Sequence, residues 1–392
     1  MKRNGWLLLI LISFNTRGQI NEGKLITKDG YLEIPFTETR KEFHADATLK
    51  DDKYSFMLDS GAPAFISREI QDKYKFPLIF KMKVKDSGGE TVYTEVVKLD
   101  TIKFGPFIFT DIPAIVVEMK NSPLECLHIA GNIGSNMFRY LILQFDKNEN
   151  RIAFTDNEKL LKKHMITSRP MKLDHQSDVF FPVKIDNNIT DTVHFDTGDG
   201  AFYNISKRTA GTYSAAFPGD VIRNGFGVTS IGIGGVGESF QQYIMKPKTI
   251  GIASETFSGG NISIAGNDKS RIGRDLLNYG ILQLNYPDSA FSFQQYAPSW
   301  KAGNFDYGFK IVPDNDKMYV GCVWKSTSAE MKGLAEGDLV LKVNNTDFSL
   351  LSKCDVDEAI RKELLSNTDS ITVTFQHKKH KPKTITLEKR AL

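Results

Sequence analysis

The sequence predicts a mainly β protein: two β lobes related by a pseudo-two-fold repeat, followed by a small α+β domain. Three observations predict it. From about Lys24 to Phe293, short apolar–polar alternations are broken by Gly, Asn and Asp, and long amphipathic helices are missing. Within that stretch the chain repeats itself in register. At Ala297-Pro298-Ser299-Trp300-Lys301-Ala302-Gly303 the pattern breaks, and the region beyond it has a different organisation, with a helix among strands.

The chain has 392 residues, enough for two or three domains that each bury a core without covalent staples. Its 50 Lys plus Arg nearly balance 47 Asp plus Glu, for a formal charge of +3, and 41% hydrophobic with 25% charged residues is ordinary globular composition. This argues against disorder and against a nucleic-acid-binding field. Cys126, Cys322 and Cys354 are far apart, odd in number and outside any CxxC or Cys/His cluster. They are expected to be structural thiols, with neither a disulfide framework nor a zinc site.

The first element is an export signal in three parts. Lys2 and Arg3 precede the apolar run Trp6 to Phe14, and polar Asn15-Thr16-Arg17-Gly18 comes after it. The run is too short to span a bilayer. Cleavage after residue 18 is the expectation, with an uncleaved anchor or a buried strand as the alternatives.

The repeat comes next. Ser55-Phe56-Met57-Leu58-Asp59-Ser60-Gly61-Ala62 matches Thr192-Val193-His194-Phe195-Asp196-Thr197-Gly198-Asp199, each preceded by a strand-turn-strand reading through Lys50-Asp51-Asp52-Lys53 or Asp186-Asn187-Asn188. Downstream, Gly134 to Gln144 aligns without a gap onto Gly273 to Gln283. The spacings agree, with Gly134 lying 75 residues after Asp59 and Gly273 lying 77 after Asp196. A third acid motif, Asp86-Ser87-Gly88, lacks both the apolar lead and the downstream partner, and reads as a hairpin turn.

Two such acids suit one chemistry. Carboxylates within hydrogen-bond distance cannot both ionise cheaply, so one proton is shared and a base and an acid result. The base draws a proton from a water that attacks a carbonyl, and the acid polarises that carbonyl and then protonates the leaving nitrogen. Gly61 and Gly198 let the two loops approach closely, while Ser60 and Thr197 can hydrogen-bond across the pair.

On these motifs, with the later Asn132-Ile133-Gly134 and Arg271-Ile272-Gly273, the chain resembles an aspartic protease of the retropepsin and pepsin group over residues 25 to 298. The resemblance implies Asp59 and Asp196 as the catalytic pair and Gly134 and Gly273 as packing positions behind it. It also implies that both acids lie in one chain, so a monomer suffices. Flaps are implied at Ser87-Gly88-Gly89-Glu90 and from Gly225-Phe226-Gly227 through Gly237, which is closer to retropepsins than to pepsins; Tyr93 does not fit the pepsin flap pattern. Asp199 stands where the family usually has a small residue. It can perturb Asp196 or turn outward and cap its loop, and the outward reading is favoured.

Other signals are discounted. Gly232-Ile233-Gly234-Gly235-Val236-Gly237 satisfies GxGxxG without the helix and βαβ frame a nucleotide site needs. Ser258-Gly259-Gly260 lacks triad partners, His194 reads as a packed or half-exposed imidazole rather than a ligand, and His377 to Lys381 reads as a solvated hairpin tip. No cofactor, metal or nucleic-acid partner is expected.

The last region holds Tyr307-Gly308-Phe309-Lys310-Ile311, a strand from Met318 to Val323, Ser328 to Leu341, helical spacing from Val356 to Leu365, and strands at Ile371–Phe375 and Thr384–Leu387. It resembles a bacterial PDZ domain. The resemblance implies capture of a peptide or chain terminus as an added strand, with Gly308 and Phe309 in the carboxylate loop and Val356, Ala359 and Ile360 lining the groove. The alternative is that these apolar residues are simply core.

The chain therefore reads as a signal over 1–18, a first lobe over 25–160, a second over 166–298 and a PDZ domain over 301–392. The expected function is an exported aspartic endopeptidase, periplasmic, surface-bound or secreted, that acts on protein or peptide substrates. The alternative is a catalytically inactive, protease-like peptide-binding scaffold.

Overall fold

The computed structural model describes residues 20–39, 42–85, 91–120, 122–229, 231–232, 235–264, 269–296, 305–314, 317–352, 354–356, 358–359, 368–378 and 380–391. The expected signal, the Asp86-Ser87-Gly88 turn with the first expected flap, Ile233 and Gly234, the interdomain linker, Ile360 and residues 361–367 lie outside them.

In the first lobe, strands Glu42–Leu49 and Asp52–Asp59 form an antiparallel hairpin through Lys50, whose φ is 57°. The second lobe repeats this with Val179–Ile185 and Ile189–Asp196, turning through Asp186 and Asn187 at φ 50° and 58°. Asp and Asn tolerate the left-handed region better than most residues, which is why these turns close tightly. Along Asp52–Asp59 burial deepens from exposed to fully buried, so the strand drives its acid into the body. Each acid strand is then flanked in parallel by the apolar-glycine strand of its own copy. Gly131–Gly134 sets Gly134 opposite Asp59, and Ser270–Gly273 sets Gly273 opposite Asp196.

After each acid loop comes a short strand and a helix with a serine N-cap. Ser67 accepts from the N–H of Ile70 to start Arg68–Tyr74, and Ser206 accepts from Thr209 to start Lys207–Ala216. The lobes meet in a shared sheet ordered Arg169–Pro170, Ala290–Gln295, Gly280–Asn285, Ile142–Asp146, Arg151–Thr155, Tyr31–Pro35. At its centre the repeat-equivalent residues Gln144 and Gln283 are cross-strand partners, and Gln144 Nε2 donates to Gln283 Oε1 at 2.9 Å. Both are buried, so this bond satisfies polar groups that water cannot reach. One apolar core runs through both lobes.

The third domain has its own core, built on Tyr307, Phe309, Met318, Val320, Val340 and Leu387 among others. It is not a separate bead, however. Its strand Lys317–Trp324 pairs with Val221–Gly227 of the second lobe, so one sheet continues across the sequence boundary. The expectation of three structural thiols is corrected. Cys126 and Cys354 form a disulfide, Cα–Cα 5.2 Å, that joins the first lobe to the third domain, while Cys322 is free and buried. A sequence separation of 228 residues gives no local cue to such a pairing.

Candidate active site

The two acid loops face one another at the junction of the lobes. Gly61 N–H donates to Asp59 Oδ1 at 2.8 Å, and Gly198 N–H donates to Asp196 Oδ1 at 2.9 Å and also to Asp59 Oδ1 at 3.2 Å. A single amide therefore touches both carboxylates. Glycine is needed here: a Cβ on Gly61 would run into the Asp196 carboxyl, and one on Gly198 would come within 2.8 Å of Asp59 Oδ2. The hydroxyl residues lock the loops reciprocally. Ser60 N–H donates to Thr197 Oγ1 at 2.9 Å and Thr197 N–H to Ser60 Oγ at 3.1 Å; the hydroxyls then donate on to Phe195 O and Leu58 O. Gly134 and Gly273 press against the carbonyls of Ala62 and Asp199, where a side chain would not fit.

Electrostatics splits the pair. Burial, and then the charge of Asp196, push Asp59 well above the ordinary carboxylate range, so Asp59 holds the proton. Beneath Asp59, Asn132 accepts the Asp59 N–H at 3.0 Å and donates to Pro63 O. At the equivalent place in the second copy is Arg271, whose Nε lies 3.7 Å from Asp196 Oδ2 and gives that carboxylate a counter-charge. Arg274 is buried and fixes the second loop by donating to Thr197 O at 2.8 Å and to Glu42 Oε2 at 2.9 Å. Both arginines lie inside the repeated segments, but nothing in a linear pattern signals that Arg271 turns toward Asp196 or Arg274 toward Thr197 O and Glu42.

Asp199 caps its own loop, as expected, but does not turn out to solvent. It is half-buried, accepts from Ala201 N–H at 2.9 Å and Asn204 Nδ2 at 3.1 Å, and burial followed by Asp196 raises its pKa. Farther back, buried His194 stacks on Phe180 at 5.0 Å and faces buried Asp178, Nε2 to Oδ2 3.7 Å. Gly232 and Gly235 pair in a small hairpin, without the helix that a nucleotide-binding turn requires.

In the third domain the groove expectation changes. Phe309 and Val356 are 4% and 2% exposed and belong to the core, with Ala359 packed on its edge. The Gly308 N–H is taken by Asp306 Oδ1 at 2.9 Å, so a carboxylate already sits where the loop was expected to hold a ligand's carboxylate.

Chemically, the arrangement holds two carboxyl groups against one amide, close enough for a proton to be shared between them. No curated protein matches the chain. Among solved structures it is similar to the crystal structure of Basic 7S globulin from soybean, at 9% identity over 68% of this chain and 95% of that one, TM-score 0.40. It is likewise similar to conglutin gamma, a unique basic 7S globulin from lupine seeds, at 9% identity over 69% and 96%, TM-score 0.40. Residues 45–137 match the aspartyl protease family model and residues 300–366 the PDZ model, so the chain combines an aspartyl protease domain with a PDZ domain.

Proposed function

We propose that the chain is an aspartic endopeptidase. The observation that carries this reading is the Gly198 amide that donates to both Asp59 and Asp196, because only a pair this close can share a proton and hold one water between them. Asp196, beside Arg271, is the base that draws a proton from that water. Asp59 polarises the scissile carbonyl and, once the tetrahedral intermediate forms, a proton returns to the leaving nitrogen. Ser60 and Thr197 hold the two carboxylates in place and touch no reacting atom.

A PDZ domain suggests peptide binding, so recruitment of a peptide or partner is part of the proposal. Export is proposed as well. It is supported by the charged, apolar and polar order of residues 1–18 and by a disulfide, which persists in oxidising compartments. A second reading, a protease-like binding protein without activity, is favoured by Asp199, an acid that adds negative charge next to Asp196.

The test is cleavage of a diverse peptide library by protein lacking residues 1–18, from acid to neutral pH, beside Asp59→Asn and Asp196→Asn. Cleavage by the parent with losses of roughly a thousandfold or more in each variant supports the protease. No cleavage by the parent at any pH, with peptides still bound, supports the scaffold.

A further inference from the structure

The second-lobe hairpin that reads as a flap is not free. Its strand Val221–Gly227 pairs with its return strand Phe240–Met245 on one side and with PDZ strand Lys317–Trp324 on the other. The register sets Gly225 opposite Trp324, Phe226 opposite Val323 and Gly227 opposite Cys322. Backbone bonds extend the seam, from Val228 N–H to Gly321 O at 2.8 Å and from Lys325 N–H to Asn224 O at 2.8 Å. At the tip side, Ser239 donates to Glu336.

Two glycines let the strands of the seam approach. Gly227 has φ 142°, and a Cβ there would strike Gly321 O, while a Cβ on Gly321 would approach Val228 O. Ile244 from the hairpin and Cys322 and Trp324 from the PDZ strand form a buried apolar cluster of their own. The same PDZ domain is bonded to the first lobe through Cys354 and Cys126. Cys126 lies in the Pro123–Leu127 turn, a few residues before the Gly131–Gly134 strand that lies beside Asp59. Both cysteines are partly exposed and open to a reductant. Buried Cys322, whose thiol is pushed up to about 12 by burial, is a poor competitor in exchange.

We infer that the PDZ domain takes this chain's own second hairpin as its strand partner, and that the Cys126–Cys354 disulfide latches this assembly to the first lobe, so that reduction frees the hairpin. The pairing is intramolecular β-augmentation. A three-residue ladder is a weak contact by itself, and a tether that fixes the domain against the opposite lobe raises the effective concentration of one strand for the other. Opening the latch takes two electrons and two protons. An external dithiol attacks the disulfide, the S–S bond breaks, Cys126 and Cys354 leave as thiols, and the reductant becomes the disulfide.

The experiment is hydrogen–deuterium exchange with mass spectrometry on the full chain, oxidised or treated with dithiothreitol, for the native sequence, Cys354→Ser and Gly227→Ala. With the latch closed, amides of 221–228 and 317–324 exchange slowly. Dithiothreitol speeds them tenfold or more in the native sequence; Cys354→Ser is fast with or without it; Gly227→Ala is fast with the disulfide intact. Peptides from 280–285, in the shared sheet, do not change. Should Cys354→Ser fail to fold, the dithiothreitol arm decides alone. Equal exchange in oxidised and reduced native protein, or a non-reduced digest without the Cys126–Cys354 linkage, overturns the latch, and unchanged exchange in Gly227→Ala overturns the strand pairing. None of these readouts needs peptide cleavage, so the protease reading stands or falls separately.

Discussion

Asn132 and Arg271 occupy the same place in the two copies, each two residues before the glycine that sits opposite its acid, and they do different things. Asn132 caps the Asp59 N–H with a neutral amide, whereas Arg271 brings a guanidinium to 3.7 Å from Asp196. The pseudo-two-fold axis therefore relates two acids with unequal electrostatic surroundings. Burial, and then the neighbouring Asp196, raise the Asp59 carboxyl, so Asp59 is the member of the pair whose protonated form is favoured.

Removing that counter-charge has a signed consequence. In Arg271→Gln the ionised form of the pair is less favoured, so the acidic limb of the pH–rate profile moves to higher pH, by about one unit. Arg271→Lys restores most of the original limb. Measured kcat/KM against pH checks this, and a fall in rate at unchanged profile in both variants would mean that Arg271 only packs.

Asp199 acts in the opposite sense. Its carboxylate disfavours negative charge on its neighbour, so Asp199→Asn moves the acidic limb to lower pH, by less than one unit because Ala201 and Asn204 already donate to it. Asp199→Ala also removes the loop cap and lowers stability by about 1 kcal/mol, read from urea midpoints.

Gly61→Ala tests the loop approach without replacing either carboxylate. The added methyl runs into the Asp196 carboxyl, and an acid displaced by an ångström loses about a hundredfold in kcat/KM. Circular dichroism and thermal unfolding should show the fold intact, because the clash is confined to the loop tips. Retained activity would mean that the loops do not need this spacing.

The His194–Asp178 pair adds two opposed slopes to the pH dependence of stability. Burial, then Asp174, raise Asp178 to about 8, so above its unfolded value near 4 the native state keeps a proton the unfolded chain releases, and stability falls as pH climbs from 4 to 8. Burial, then Arg271, lower His194 to about 3; the unfolded chain binds a proton below 6.5 that the native state refuses until 3, so stability falls as pH drops through that window. The two offset each other between about 4 and 6.5, and each alone costs roughly 1.4 kcal/mol per pH unit outside that range. Urea unfolding should show stability there falling with rising pH, at a slope set by the other raised carboxyls, Asp59, Asp199, Asp275 and Asp306. Asp178→Asn should flatten the alkaline side, where Asp59 leaves a residual slope of the same sign, and His194→Phe the acid side.

The mainly β class, the doubling of the lobe and the pair Asp59 and Asp196 were legible in the sequence, because these are local and periodic properties. Alternating strands, turn residues such as Asp186 and Asn187, and an acid motif with a partner at matched spacing survive in a linear pattern. Gln144 and Gln283, aligned by the repeat, meet only because the strands that carry them pair across the axis, which the linear pattern does not show. Packing settled whatever depends on direction and long-range closure: that Arg271 turns toward Asp196, that Asp199 turns inward, that Phe309 and Val356 are core, and that Asp306 occupies the Gly308 amide. It also settled that Cys126 reaches Cys354 across 228 residues. A side chain's neighbours in space come from how strands twist and pack, and a sheet edge such as Val221–Gly227 carries no mark in sequence of the strand that will complete it.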